Sequence, residues 1–260
     1  MDIVLLGSGG VANSLAFALK DHLTALFSRQ LEHAQELSRK LALPYPILVT
    51  DQLKELPLNA HFYILAVRDD AVREVAEALG SVHRGIVVHT SAVTPLDALG
   101  KHPRCAVLYP PNTFSKGVIK SFEGFTFLTE CSSADVQEEV SVLCRLMGAD
   151  SLTTTYHERV GFHLAAVFAC NFTNHLYYLA EQIMEQSLGD AALTHKLLAP
   201  LIEETCRKAL QTNPFIAQTG PAIRRDSGTL ALHRTLLKNH PEKLRALYDQ
   251  FTQSIQETYE

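Results

Sequence analysis

Short apolar runs alternate with helical patterns from Ile3 to Thr129. The runs are Ile3 to Leu6, Ala25 to Ser28, Ile47 to Thr50, Phe62 to Val67, Ile86 to Thr90, Ala106 to Tyr109 and Phe125 to Thr129. Nearly continuous apolar runs separated by helix-length segments predict strands buried on both faces, hence a parallel, doubly wound α/β sheet. From about Thr155 the strand-like runs stop, and long helical patterns follow with breaks near Gly189, Pro214 and Pro241. The pattern predicts two domains, residues 1–150 built on the sheet and residues 151–260 all helical, with no internal repeat and no low-complexity tract.

The first strand runs into Gly7-Ser8-Gly9-Gly10-Val11-Ala12, and a helical pattern follows through Leu19. This is G-x-G-x-x-A at a strand-to-helix turn. Gly7 permits the tight turn, Gly9 lets the backbone approach a pyrophosphate, and Ala12 allows close helix–strand packing while the helix N-terminus faces the phosphates. With further β/α units behind it, the motif predicts a dinucleotide-binding Rossmann domain. The second strand ends Leu26-Phe27-Ser28-Arg29, where an NAD site presents Asp or Glu to the ribose 2′-hydroxyl. Ser28 and Arg29 suit a 2′-phosphate, so NADP(H) is favoured over NAD(H); Arg29 also reads as the solvated start of the next helix. Val67 and Asp69 after the fourth strand, and Thr90 and Ser91 after the fifth, fall at the carboxyl edge where such folds bind ligands. Asp69 reads equally as a helix cap.

Projected at ~100° per residue, Phe162 to Ile183 places Phe162, Ala165, Ala169, Phe172, Leu176, Ala180 and Ile183 on one apolar side. His163, Cys170, Asn171, Asn174, His175 and Tyr178 fall together in a band of roughly 140°. An imidazole suits proton transfer beside a carbon that exchanges hydride, so His163 is the candidate general acid, with Asn171 orienting the reacting atom. The band reads otherwise as satisfied polar groups at a helix–helix contact. Thr219 to Asp226 is a turn-rich segment in which Arg224 suits a carboxylate or phosphate and Asp226 suits a helix cap.

Composition narrows the picture. The 260 residues are 47% apolar and 20% charged with a formal charge of −5, and no Lys/Arg run makes a phosphate-tracking stripe, so nucleic acid is not an expected partner. Five scattered cysteines without C-x-x-C spacing argue against a disulfide framework and a zinc site, and suit a reducing cytoplasm; no metal is expected. Asp2 stands where a secretory leader carries basic residues, and the N-terminus reads as a strand. Val160 to Ala180 lacks Asp, Glu, Lys and Arg, yet His163, Asn171, Asn174 and His175 are costly in hydrocarbon, so it is expected to be a buried core helix rather than a membrane span.

At these residues the chain resembles the family of Rossmann-like proteins with a C-terminal domain of unknown function, DUF2520. Gly7 to Ala12 resembles its cofactor loop, and His89-Thr90-Ser91 the end of its fifth strand. Tyr109-Pro110-Pro111-Asn112-Thr113-Phe114 is similar to its His-Pro-x-x-Thr-Phe segment, with Tyr109 replacing His. Phe162 to Asn171 is similar to its Tyr-His-x-Ala-Ala-Val-Phe-Ala-x-Asn stretch, and Thr219 to Asp226 with His233 to its remaining hallmark. The resemblance extends distantly to pyrroline-5-carboxylate reductase, ketopantoate reductase and β-hydroxyacid dehydrogenases. It implies an all-helical C-terminal domain of the 6-phosphogluconate dehydrogenase-like type, a homodimer through those helices, and a small substrate in the interdomain cleft met by Asn112, Thr219 and Arg224. Several of those dehydrogenases carry a catalytic Lys one turn before the Asn; the position here is Val167, which shifts attention to His163. The expected activity is NADP(H)-dependent oxidoreduction of a small carbonyl, imine or hydroxy acid. The alternative is a non-catalytic NADP(H)-binding sensor or scaffold.

Overall fold

The computed structural model describes residues 1–80, 85–115 and 117–260. The chain divides into two compact units, Met1–Cys170 and Asn171–Glu260.

The first unit is built on an eight-stranded sheet: β1 (Ile3–Leu6), β2 (Leu23–Phe27), β3 (Leu48–Thr50), β4 (Phe62–Leu65), β5 (Ile86–His89), β6 (Cys105–Tyr109), β7 (Thr126–Cys131) and β8 (Asp150–Thr153). Their order is β3-β2-β1-β4-β5-β6-β7-β8. All neighbours pair in parallel except β6 and β7, which are antiparallel. The order reverses between β1 and β4, and it is outside the carboxyl ends of strands at such a switch that open α/β sheets bind ligands. The seven expected strands all form. The eighth, Asp-Ser-Leu-Thr, carries too little apolar character to be read as a strand and lies at the sheet edge.

Helices α1 (Gly10–Ala18), α2 (Leu31–Leu41), α3 (Val72–Leu79) and α4 (Ala134–Leu146) cover the sheet. Ala12, Leu15, Leu37, Val136 and Leu143 pack on one face with Ile3, Leu5, Ile64 and Val88. Val72, Val75 and Leu79 pack on the other with Val4, Leu65 and Val87. The alternation along each strand is what two-sided burial requires. Helix α5 (Tyr156–Ala166) ends this unit; Thr155 and Glu158 cap its start reciprocally.

A π-helical turn, Val167–Phe172, carries the chain onward. The second unit then comprises α6 (Thr173–Leu188), α7 (Ala191–Gln211), the single turn α8 (Pro214–Ala217), α9 (Ser227–Leu236) and α10 (Glu242–Thr258). The expected breaks coincide with element ends: Gly189 is the left-handed C-cap of α6, Pro214 opens α8 and Pro241 precedes α10. Of the described side chains in this unit only Thr194, Ala222, Leu230, Leu237 and Thr252 are buried, whereas Leu201, Leu210 and Ile216 are 64%, 82% and 73% exposed.

The expected buried helix over 160–180 is corrected here. Leu164, Phe168 and Phe172 are exposed, because the chain packs too little of its own apolar surface over them. No helix among the described residues is long and apolar enough to cross a membrane.

Candidate functional site

A cleft of about 540 Å³ opens at the carboxyl ends of β1, β2 and β4. Gly7, Ser8, Gly9, Gly10 and Val11 form its floor, Ser28, Arg29, Gln30 and His33 one end, and Val67, Arg68, Asp69 and Thr90 the other wall. The loop is held from within. Asn13 donates through Nδ2 to the Ser8 and Gly9 carbonyls at 2.9 and 2.8 Å, and the Ser8 and Ser28 hydroxyls lie 3.2 Å apart.

Three features fit a dinucleotide. Gly9 is the N-cap of α1 and supplies no side-chain cap, so the first-turn N–H groups remain available to an anion. A Cβ built on Gly9 meets nothing within 4 Å; the space beside it is the opening a pyrophosphate would occupy. At the Ser28 end no carboxylate among the described residues lines the cleft, and Arg29 is exposed. Arg29 also borders a smaller adjoining hollow with Arg68, Asp70 and Glu74, where Arg68 makes a forked pair to Asp70 at 2.7 and 3.2 Å.

The remaining sequence candidates are distributed as follows. Ala12 is buried beneath the loop and packs in the core. Asp69 begins a short 3₁₀ turn without capping it, leaving its carboxylate in the cleft wall. Ser91 lies outside the lining; its hydroxyl accepts from the Val93 and Thr94 N–H groups and shapes the loop after β5. Asn112 is exposed, and its Oδ1 accepts from Thr113 N–H and Lys120 Nζ. Asn171 is exposed in the π turn. In the second unit Thr219 and Arg224 are exposed, Arg225 adopts φ +52° while pairing with Glu260, and Asp226 caps α9 by accepting from Thr229 N–H. His233 Nδ1 lies 2.9 Å from the Tyr248 hydroxyl.

Beside the cleft, the first unit contains groups that periodicity did not single out. Arg159 on α5 is fully buried. Its Nε and Nη2 donate to the Ala92 and Thr94 carbonyls at 3.0 and 2.9 Å, and Nη1 pairs with Glu130 of β7 at 2.5 Å. The loop following Thr90 is thereby fastened to both α5 and β7. The Thr155-x-x-Glu158 capping box announces the start of α5 in the sequence, but nothing in the pattern announces that the next residue turns inward. Tyr109, at the end of β6, places its hydroxyl 3.4 Å from His163 Nδ1, with the rings edge-to-face. Burial raises the Tyr109 phenol above the usual tyrosine range, reinforced by Cys170 and Asp69.

His89 lies buried at the end of β5, its Nδ1 accepting from Ser91 N–H at 3.2 Å, while Nε2 has no partner among the described residues. Burial, and then the Arg159 guanidinium, lower its pKa from 6.5 to about 4. Above pH ~6.5 the imidazole is neutral in both folded and unfolded chains and stability is flat with respect to it. As pH falls from ~6.5 towards ~4 only the unfolded chain takes the proton, and stability drops by up to ~3 kcal/mol. Urea unfolding at pH 7 and pH 5 should therefore show a steeper loss in the native protein than in His89→Gln; equal slopes would remove His89 as the cause.

The DUF2520 profile, a domain of unknown function, matches residues 125–255, half of the chain. A Bacteroides fragilis protein assigned as an NADP oxidoreductase is 33% identical, with a TM-score of 0.86 over 98% of each chain. The chain belongs to the DUF2520 family. A Thermotoga maritima protein shares its fold at 20% identity and a TM-score of 0.72, covering 99% of this chain and 98% of that one. So does a reductive aminase from Aspergillus terreus in complex with NADPH and ethyl-5-oxohexanoate, at 12% identity and a TM-score of 0.73, covering 97% and 94%. No curated protein sequence matches the chain.

Proposed function

We propose that this DUF2520 protein is an NADPH-dependent oxidoreductase acting on a small carbonyl, imine or hydroxy-acid substrate. The observation that carries the reading is the cleft itself: an uncapped helix N-terminus and an open Gly9 at its centre, with Ser28 and Arg29 rather than a carboxylate at the ribose end. The kinship with a protein assigned as an NADP oxidoreductase points the same way.

In this reading the α1 N-terminus and the Ser8 to Val11 backbone hold the pyrophosphate, Ser28 and Arg29 hold the 2′-phosphate, and Val67, Asp69 and Thr90 flank the remainder of the dinucleotide. The bound cofactor supplies the hydride. His163 is the source of the proton in the reducing direction, and Asn171 orients the reacting atom. Asn112, Thr219 and Arg224 contact the substrate, with Arg224 suited to a carboxylate because it is exposed and makes no side-chain hydrogen bond or ion pair among the described residues. A second copy of the chain covers the exposed apolar helices of Asn171–Glu260, giving a homodimer. The five free thiols suit a reducing cytoplasm.

The test is cofactor discrimination. Loss of a charge-assisted bond to phosphate costs ~1.5–3 kcal/mol, so Arg29→Ala should weaken NADPH ~10–100-fold and leave NADH within about threefold. Equal weakening of both, measured by fluorescence titration, would detach Arg29 from the 2′-phosphate.

A further inference from the structure

We infer that His33 is a ligand of the cofactor's 2′-phosphate and, with Arg29, sets the preference for NADPH over NADH; this rests on the cofactor cleft of the reading above. His33 lines the cleft of about 540 Å³ at its Ser28 end, beside Arg29 and Gln30. Gln30 is the N-cap of α2 and makes no side-chain cap hydrogen bond, so His33 is the third residue of the helix proper. Side chains on a helix tilt toward its N-terminus, and the third position is the one from which a Glu reaches back in a capping box. Glu158 does this at the start of α5. On α2 the same position carries an imidazole, which has an N–H to donate whether it is neutral or protonated. A donor there does not close the helix start against an anion, as a carboxylate would; it helps to hold one. His33 is exposed and makes no side-chain hydrogen bond or ion pair among the described residues, and Glu36, one turn on, pairs with Lys40 at 2.6 Å.

Charge decides on which side of Arg29 the phosphate lies. Arg29, Arg68 and Ala71 border both the cleft and the smaller hollow of about 150 Å³. The hollow is otherwise bordered by Asp70 and Glu74, and Arg68 is already engaged by Asp70 at 2.7 and 3.2 Å. A phosphate in that hollow would face two carboxylates with one of its two cations taken. The Ser28 side instead offers a hydroxyl, the Arg29 guanidinium, His33 and the uncapped start of α2, while Glu32 of the first turn lies outside the lining. The 2′-phosphate therefore turns toward Ser28 and His33. The uncharged adenine takes the Arg68 side, where a guanidinium suits the face of the base.

The test uses the full chain with two pairs of probes that differ by the 2′-phosphate: NADPH against NADH, and adenosine 2′,5′-bisphosphate against 5′-AMP. His33→Ala should weaken NADPH and the bisphosphate ~10-fold, the loss of one bond to a charged group, and leave NADH and 5′-AMP within about threefold. His33→Lys, which restores a donor, should bring both phosphorylated probes back to within about threefold of wild type. In ¹H–¹⁵N spectra the His33 ring signals should move on adding the bisphosphate and stay in place with 5′-AMP. Arg68→Met should change NADPH and NADH affinity by the same factor. Equal weakening of NADPH and NADH by His33→Ala, NADPH affinity of that variant within about threefold of wild type, or selective loss of NADPH in Arg68→Met would overturn the assignment. A wild-type protein that binds NADPH with this His33 dependence but transfers no hydride to any carbonyl or imine would overturn the oxidoreductase reading and leave His33 in its role. Binding of neither NADPH nor the bisphosphate would overturn both.

Discussion

Replacing Arg159 with methionine should destabilise the first unit by about 3 kcal/mol, because a buried pair broken on one side leaves its partners stranded. The Glu130 carboxylate loses its cation, and the Ala92 and Thr94 carbonyls lose their donors, all at once. At 2–4 °C per kcal/mol the melting temperature should fall by ~6–12 °C. Methionine keeps much of the side-chain length, so the loss is one of polarity rather than volume. A double-mutant cycle isolates the pair: Arg159→Met combined with Glu130→Gln should cost clearly less than the sum of the single changes. Additive costs, or a melting temperature within 2 °C of the native protein, would show that Arg159 is not the fastening between α5, the loop after β5 and β7.

The second large effect separates two glycines of one loop. Gly7 sits at φ +127°, a region L side chains rarely adopt, and a Cβ there would lie 2.1 Å from the Ala66 carbonyl oxygen. That oxygen belongs to backbone fixed by the Ala66 N–H to Leu6 carbonyl bond at 2.8 Å, so it has nowhere to retreat. Gly7→Ala should therefore cost ~3 kcal/mol or more in stability as well as abolishing cofactor binding. Gly9 is the opposite case, since its added Cβ meets only open space. Gly9→Val should melt within ~2 °C of the native protein while weakening NADPH at least ~100-fold, because the side chain enters the space of the pyrophosphate. Thermal unfolding and NADPH titration on both variants check this; a Gly9→Val protein that binds NADPH normally would move the dinucleotide out of this cleft.

Much of the fold is legible because buried parallel strands must be apolar throughout. Ile3–Leu6 and Phe62–Leu65 carry no polar residue other than the Tyr63 hydroxyl, which donates to the Pro57 carbonyl, and glycine turns punctuate such runs clearly. The edge strand Asp150–Thr153 escapes that logic, as its mostly exposed side chains are free to be polar. Helix ends at Gly189 and before Glu242 are legible because a left-handed C-cap and a proline each impose a local backbone constraint. The π turn Val167–Phe172 is not, because i→i+5 bonding leaves no mark on composition, and a constant ~100° projection does not hold across it. The glycine loop and the Ser28-Arg29 pair are local in sequence and were readable. Arg159 with Glu130, and Tyr109 with His163, join residues 29 and 54 positions apart, and only the folded chain displays those pairings.

The most direct measurement of the central claim is a fluorescence titration of the purified wild-type protein with NADPH and, in parallel, NADH. Saturable NADPH binding at least ~10-fold tighter than NADH is expected, the preference that an added 2′-phosphate contact gives. Absence of NADPH binding, or tighter binding of NADH, would contradict it.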